Sequence, residues 1–135
     1  MSYVDAARCQ RRRPLRDCVA IHLKNAPPVR PFRWSRGRGH FPGWYWSATP
    51  DRHVSFESSL EHDRLVPMAF DPSVAGIGSQ PFWLHWHDGE RERRPAPDCI
   101  VRHSDGSAVV IDVRADDRIA QQDAAAFAVT RLACA

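Results

Sequence analysis

A chain of 135 residues with 43% hydrophobic content can build one modest core and is too short for several domains. No stretch reaches the roughly 20 apolar residues of a membrane helix, and the N-terminus lacks the apolar run of a signal peptide, so no membrane attachment is expected. A net charge of +3 conceals an asymmetry: residues 1–54 carry ten Arg and Lys24 against Asp5, Asp17 and Asp51, whereas residues 55–135 carry eight Arg against thirteen acids. A basic front joined to an acidic body suits a polyanionic partner. The four cysteines, Cys9, Cys18, Cys99 and Cys134, lie far apart with no C-x-x-C pair, which argues against a disulfide framework and points to a reducing cytoplasm.

Along the chain, residues 1–29 form a basic leader, either disordered or upstream of the true start, with one short strand expected over Val19–Leu23 before Pro27-Pro28. Residues 30–54 interleave Arg30, Arg33, Arg36 and Arg38 with Trp34, Phe41, Trp44, Tyr45 and Trp46, broken by three glycines. Arginines among aromatics suit phosphate contact plus stacking, and Arg33, Arg36, Arg38, Arg91, Arg93 and Arg94 are the candidate DNA contacts. The alternative is an irregular arm that packs its tryptophans on the core, the preferred reading for Trp44 and Trp46. A helix is expected from Ser55 to about Val66, with Ser58 and Glu61 as an S-x-x-E capping box, a kink at Pro67 and an exit at Asp71-Pro72. Strands are expected around Val74–Ile77, Phe82–His87, Asp98–His103 and Ala108–Arg114, and Asp116 or Asp117 is placed to cap a last helix through Leu132. This order predicts an α/β domain around a central mixed sheet flanked by helices.

The most informative feature is Pro97-Asp98 followed by Asp112-Val113-Arg114, with thirteen residues between the two aspartates. A two-residue Asp105-Gly106 turn would set Asp98 opposite Val113. A three-residue Ser104-Asp105-Gly106 loop, with Gly106 left-handed in a G1 bulge, would set Asp98 opposite Asp112. Only the second register gathers Cys99, Val101, Val109, Ile111 and Val113 on one apolar face and leaves Asp98, Asp112 and Arg114 on the other. Two carboxylates facing each other repel, and a hard divalent cation such as Mg²⁺ or Mn²⁺ would reverse that cost. The bland counterpart is two exposed strand-end aspartates, each satisfied by Arg102 or Arg94.

Taken with Phe56–Glu61 (FESSLE), Phe70–Val74 (FDPSV), Gln80-Pro81 and the Gly39–Trp46 lead-in, these residues resemble the TnsA-type endonuclease subunits of heteromeric transposases, in the PD-(D/E)xK nuclease superfamily. The resemblance covers residues 30–133, about three-quarters of the chain. It implies a restriction-endonuclease-like core over residues 30–135 and metal-dependent hydrolysis of DNA phosphodiesters at transposon ends, beside a separate DDE-type transposase. Asp98 and Asp112 would hold Mg²⁺ (or Mn²⁺), and Glu61 would be the helix acid, with Glu57 one turn back as its substitute. Arg114 takes the position of the family's lysine. Since arginine stays protonated, it can position or stabilise charge but not act as a base. The family usually places another strand after the last helix, so the C-terminus is expected to be truncated relative to it. The alternative is a non-catalytic DNA-binding or assembly module on a degenerate nuclease fold.

Other chemistries are weaker. His85 and His87 share a strand face and could draw Cys99 or His103 into a zinc site, but the spacing is wrong for one. No nucleophile elbow and no Gly-rich phosphate loop is present.

Overall fold

The computed structural model describes residues 1–18, 21–30, 42–47, 52–87, 89–115 and 119–134 and shows a mixed α/β protein with two helices and several small antiparallel sheets. In chain order these are the hairpin β1 (Ser2–Val4) and β2 (Gln10–Arg12), the hairpin β3 (Gly43–Ser47) and β4 (Arg52–Phe56), and helix α1 (Ser59–Phe70). Strand β5 (Val74–Ser79), the short pair β6 (Trp86–His87) and β7 (Glu92–Arg93), the hairpin β8 (Cys99–His103) and β9 (Ala108–Ile111), and helix α2 (Gln121–Cys134) follow.

The central sheet has the order β5-β8-β9. Its pairings are antiparallel, whereas a mixed sheet was expected. A parallel neighbour needs a crossover connection, and among the described residues each strand of this sheet pairs with one that the chain reaches by turning back. Strands β5 and β8 are buried on both faces, while the edge strand β9 is partly exposed. Cys99, Val101 and Ile77 pack with Val54 and Leu65, against which Met68 of α1 rests. Ile100, from the opposite face, packs with Met1, Tyr3, Leu23, Phe82 and Leu84, and Val110 and Val129 join that side.

This second cluster corrects the expectation of a separate leader. Met1 and Tyr3 are core residues, and Ser2 exchanges backbone hydrogen bonds with Trp83 at 2.9 and 2.8 Å. The arginines of the segment are exposed, Arg11 and Arg12 on β2 and Arg8, Arg13 and Arg16 outside it, while its few apolar residues are inside. The strand expected over Val19–Leu23 is not formed where it is described; instead Leu23–Asn25 is a short 3-10 turn. That turn lies directly on β5, so close that a Cβ on Gly78 would sit 2.8 Å from the Leu23 carbonyl oxygen. Lys24, the only lysine, donates to the carbonyl of Ala75 at 3.0 Å, at the bulge between Val74 and Gly76.

Two further expectations shift. The helix begins at Ser59 rather than Ser55, because Ser55 and Phe56 finish β4, and it runs through Pro67 to Phe70. The arm of residues 30–54, expected to be irregular, contains a regular hairpin where it is described. Along β3 exposure alternates, with Trp44 and Trp46 outward and Ser47 fully buried, so the tryptophans do not pack on the core. Of the strand expected over Phe82–His87, only Trp86–His87 is a strand; Phe82 and Leu84 are core.

Candidate functional site

The β8–β9 turn settles the register. Cys99 pairs with Ile111 and Arg102 with Ala108, so the ladder is in phase for Asp98 to oppose Asp112. His103 and Ser107 close a three-residue loop, and Gly106 sits at φ +90°, a conformation that costs glycine least. The strands stop one residue short of each aspartate. Pro97, which would face Val113, has no N–H to give the ladder. The Val113 amide donates instead to Asp98 Oδ2 at 2.7 Å.

Asp98 is fixed from several directions. Its backbone carbonyl accepts from the Gln80 amide at 2.9 Å, and Gln80, held at φ +42°, accepts in turn from the Val29 amide. A non-glycine residue in the left-handed region stores strain, of order 1–3 kcal/mol, that the surrounding packing must hold. The Arg114 guanidinium donates to Asp98 Oδ2 at 3.0 Å and to the Val113 carbonyl at 2.7 Å. Burial raises the Asp98 pKa, and the Val113 amide and Arg114 only partly offset it. The expected bland arrangement, exposed aspartates satisfied by Arg102 or Arg94, is therefore replaced. Asp98 is buried and bonded to the exposed Arg114, Arg102 bonds the Gly106 carbonyl, and Arg94 lies 5.4 Å over the Trp83 ring.

Asp112 is less well compensated. Burial and then the charge of Asp98 push its pKa up to about 6, against smaller opposing effects from Arg114 and the Asp98 backbone. It lines a cleft of about 450 Å³ with Val109 and Val110 and, from α2, Phe127, Thr130, Arg131 and Cys134. Asp98 borders a different and far smaller hollow, of about 10 Å³, against α1 with Glu61, Leu65 and Met68.

Glu61 shares that hollow, but it is also the capping glutamate of α1. Its amide donates to Ser58 Oγ, while its carboxylate accepts from the Glu57 amide at 2.9 Å and from the Ser58 hydroxyl at 3.1 Å. Burial raises its pKa, and the negative charge of Asp98 adds to the rise. Glu57 is not on the helix, as its role of substitute acid required; it precedes the N-cap and pairs with Arg30 at 2.5 Å.

The divalent cation implied by the resemblance fits this donor set in part. Asp98 and Asp112 are hard oxygen donors with raised proton affinity, which marks a place short of positive charge. Among the described residues, however, no group of three or more His, Cys, Asp or Glu side chains gathers as a metal site. Glu61 has both oxygens committed to the cap. His85 is likewise engaged, to Ser2 Oγ at 2.7 Å and Glu92 at 3.0 Å.

Of the candidate DNA contacts, Arg93 lies in β7, and Arg91 and Arg94 flank it on the exposed side of the molecule; Arg33, Arg36 and Arg38 lie outside the described residues, as do Asp116 and Asp117. The cap of α2 comes from Asp123, whose carboxylate accepts from the Ala120 amide at 3.1 Å. Sequence reasoning missed the Val113 amide as the principal partner of Asp98, since any residue type supplies an amide. It also missed Thr130 and Arg131, whose approach to Asp112 depends on where α2 docks. Among the described residues no helix is long and apolar enough to cross a membrane. No family model and no curated protein sequence matches the chain.

Proposed function

We propose that this chain is a metal-dependent DNA endonuclease subunit, hydrolysing phosphodiester bonds at transposon ends beside a DDE-type transposase in the cytoplasm, on a restriction-endonuclease-like core. The observation that carries this reading is the β8–β9 register, which sets Asp98 opposite Asp112 at the end of the hairpin with Arg114 bonded to Asp98. Helix α1 precedes the three-stranded antiparallel sheet that contains this hairpin and α2 follows it, an arrangement that supports the reading. Asp98 and Asp112 would hold Mg²⁺ or Mn²⁺, which when bound supplies charge neutralisation at phosphate and acidifies water. Arg114 keeps its proton and positions phosphate by charge. Glu61 holds the start of α1 and contributes negative field to the Asp98 hollow.

Nicking of supercoiled plasmid, with Mg²⁺ or Mn²⁺ and the transposase partner present, tests the proposal. Asp98→Ala and Asp112→Ala should each abolish cutting, and undiminished nicking by either variant rejects the site.

A second reading, a non-catalytic DNA-binding or assembly module on the same fold, draws on a specific observation. Asp98 Oδ2 is already taken by an amide and a guanidinium, which leaves less of the carboxylate for a cation. It predicts salt-sensitive DNA binding without metal-dependent cutting. A gain of nicking in Arg114→Lys would favour the enzyme.

A further inference from the structure

The outward face of the β3–β4 hairpin is not explained by the hairpin's role in packing. Its inward face is committed: Ser47 and Val54 are buried, and Tyr45 meets the His62 ring of α1 edge-on at 5.7 Å. The other face presents Trp44 at 55% and Trp46 at 51% exposure, side by side on one strand. His53, from β4, meets both rings edge-on, at 6.5 and 5.2 Å. Two large aromatics held half in water on a regular ribbon mark a recognition surface.

We infer that Trp44 and Trp46 form a stacking site for the bases of single-stranded nucleic acid, such as unpaired DNA beside a cut end. Residues two apart on a strand repeat at about 6.6 Å, close to twice the roughly 3.4 Å thickness of a stacked base. That spacing suits successive bases of one strand, one to each ring. Charge complementarity selects this occupant over an apolar protein surface, because the sequence around the pair, residues 30–54, carries Arg30, Arg33, Arg36, Arg38 and Arg52 against Asp51 alone. A cationic segment bearing aromatics attracts the backbone and stacks the bases without reading sequence. Duplex DNA keeps its bases stacked inside and offers these rings nothing. This inference shares the nucleic-acid reading above and does not depend on cleavage.

The test is titration of the full chain with an oligo(dT) strand and a duplex of equal length, following intrinsic tryptophan fluorescence and anisotropy of the labelled DNA at low and moderate salt. The wild type should bind oligo(dT) with quenching, and the Trp44→Ala/Trp46→Ala double variant should lose that quenching and bind roughly five- to hundredfold more weakly. Trp44→Phe/Trp46→Phe should retain most of the affinity, which separates loss of stacking from loss of folding. Equal oligo(dT) affinity in the wild type and the alanine variant overturns the stacking site. So does preferential binding of duplex, or an effect of the variants confined to self-association or to the transposase partner. If plasmid nicking persists in such a case, only the stacking site has failed. If no nucleic acid of either kind is bound, both proposals fall.

Discussion

The two aspartates oppose each other across one ladder yet face unlike surroundings. Asp98 lies on the closed side, in a hollow of about 10 Å³ against α1, with an amide and a guanidinium on one carboxylate oxygen. Asp112 lies on the open side, in a cleft of about 450 Å³ beneath α2. A space of the first size holds one water at most, whereas the second can admit a ligand. Burial alone therefore does not set the state of a carboxylate. What decides is how much of the lost hydration the protein replaces: Asp98 has two strong donors, while Asp112 is left with a pKa of about 6.

Removal of each acid in turn should have unequal effects. Asp98→Ala leaves the Val113 amide and the Arg114 guanidinium without their acceptor, and should cost roughly 2–4 kcal/mol in urea unfolding. Asp112→Ala, which removes a poorly compensated charge, should cost nothing at neutral pH. Equal losses would mean that the two sides are alike.

A smaller effect follows from pH. The Asp112 pKa is raised in the folded state from 3.8 to about 6, so the folded chain binds more protons than the unfolded one in that window. The stabilisation this brings is fully present below about pH 4 and is lost as pH rises through 6. Asp112→Asn should therefore gain on the order of 1–2 kcal/mol over wild type at pH 8, after allowance for partial exposure, and close to nothing at pH 4. Melting curves at the two pH values measure it. A pH-independent difference would remove the contrast between the acids.

Cation binding sharpens the same contrast. If Asp98 and Asp112 share an ion, Mg²⁺ at ten times its Kd should stabilise the wild type by about 1.4 kcal/mol in thermal melts, and Asp112→Asn should abolish the gain. Retention of the gain in that variant would place the cation elsewhere. The smallest effect is expected at Glu61. Glu61→Gln keeps an acceptor for the Glu57 amide and should change stability by a few tenths of a kcal/mol, whereas Glu61→Ala should lose about 1 kcal/mol.

Much of the hairpin was legible without coordinates. The alternation of Cys99, Val101, Val109 and Ile111 admits one register that keeps these apolar residues on one face, and a glycine stands where that register needs a left-handed residue. The Ser58–Glu61 capping box was equally local, since both partners lie within one turn. The N-terminal segment was misread because its many arginines outweigh Met1, Tyr3 and Leu23 in any compositional view, although only those few residues need to enter the core. Trp44 and Trp46 were misread for a related reason: period-two alternation says that they share a face, but not which face meets α1.

By itself, then, the sequence determined that Asp98 and Asp112 stand opposite each other, because pairing register follows from nearest-neighbour pattern and turn geometry. Only the tertiary structure decided that one acid is closed against α1 and the other opens beneath α2. That outcome depends on how two helices distant in sequence dock on the sheet, and on which backbone amides they leave for a buried charge.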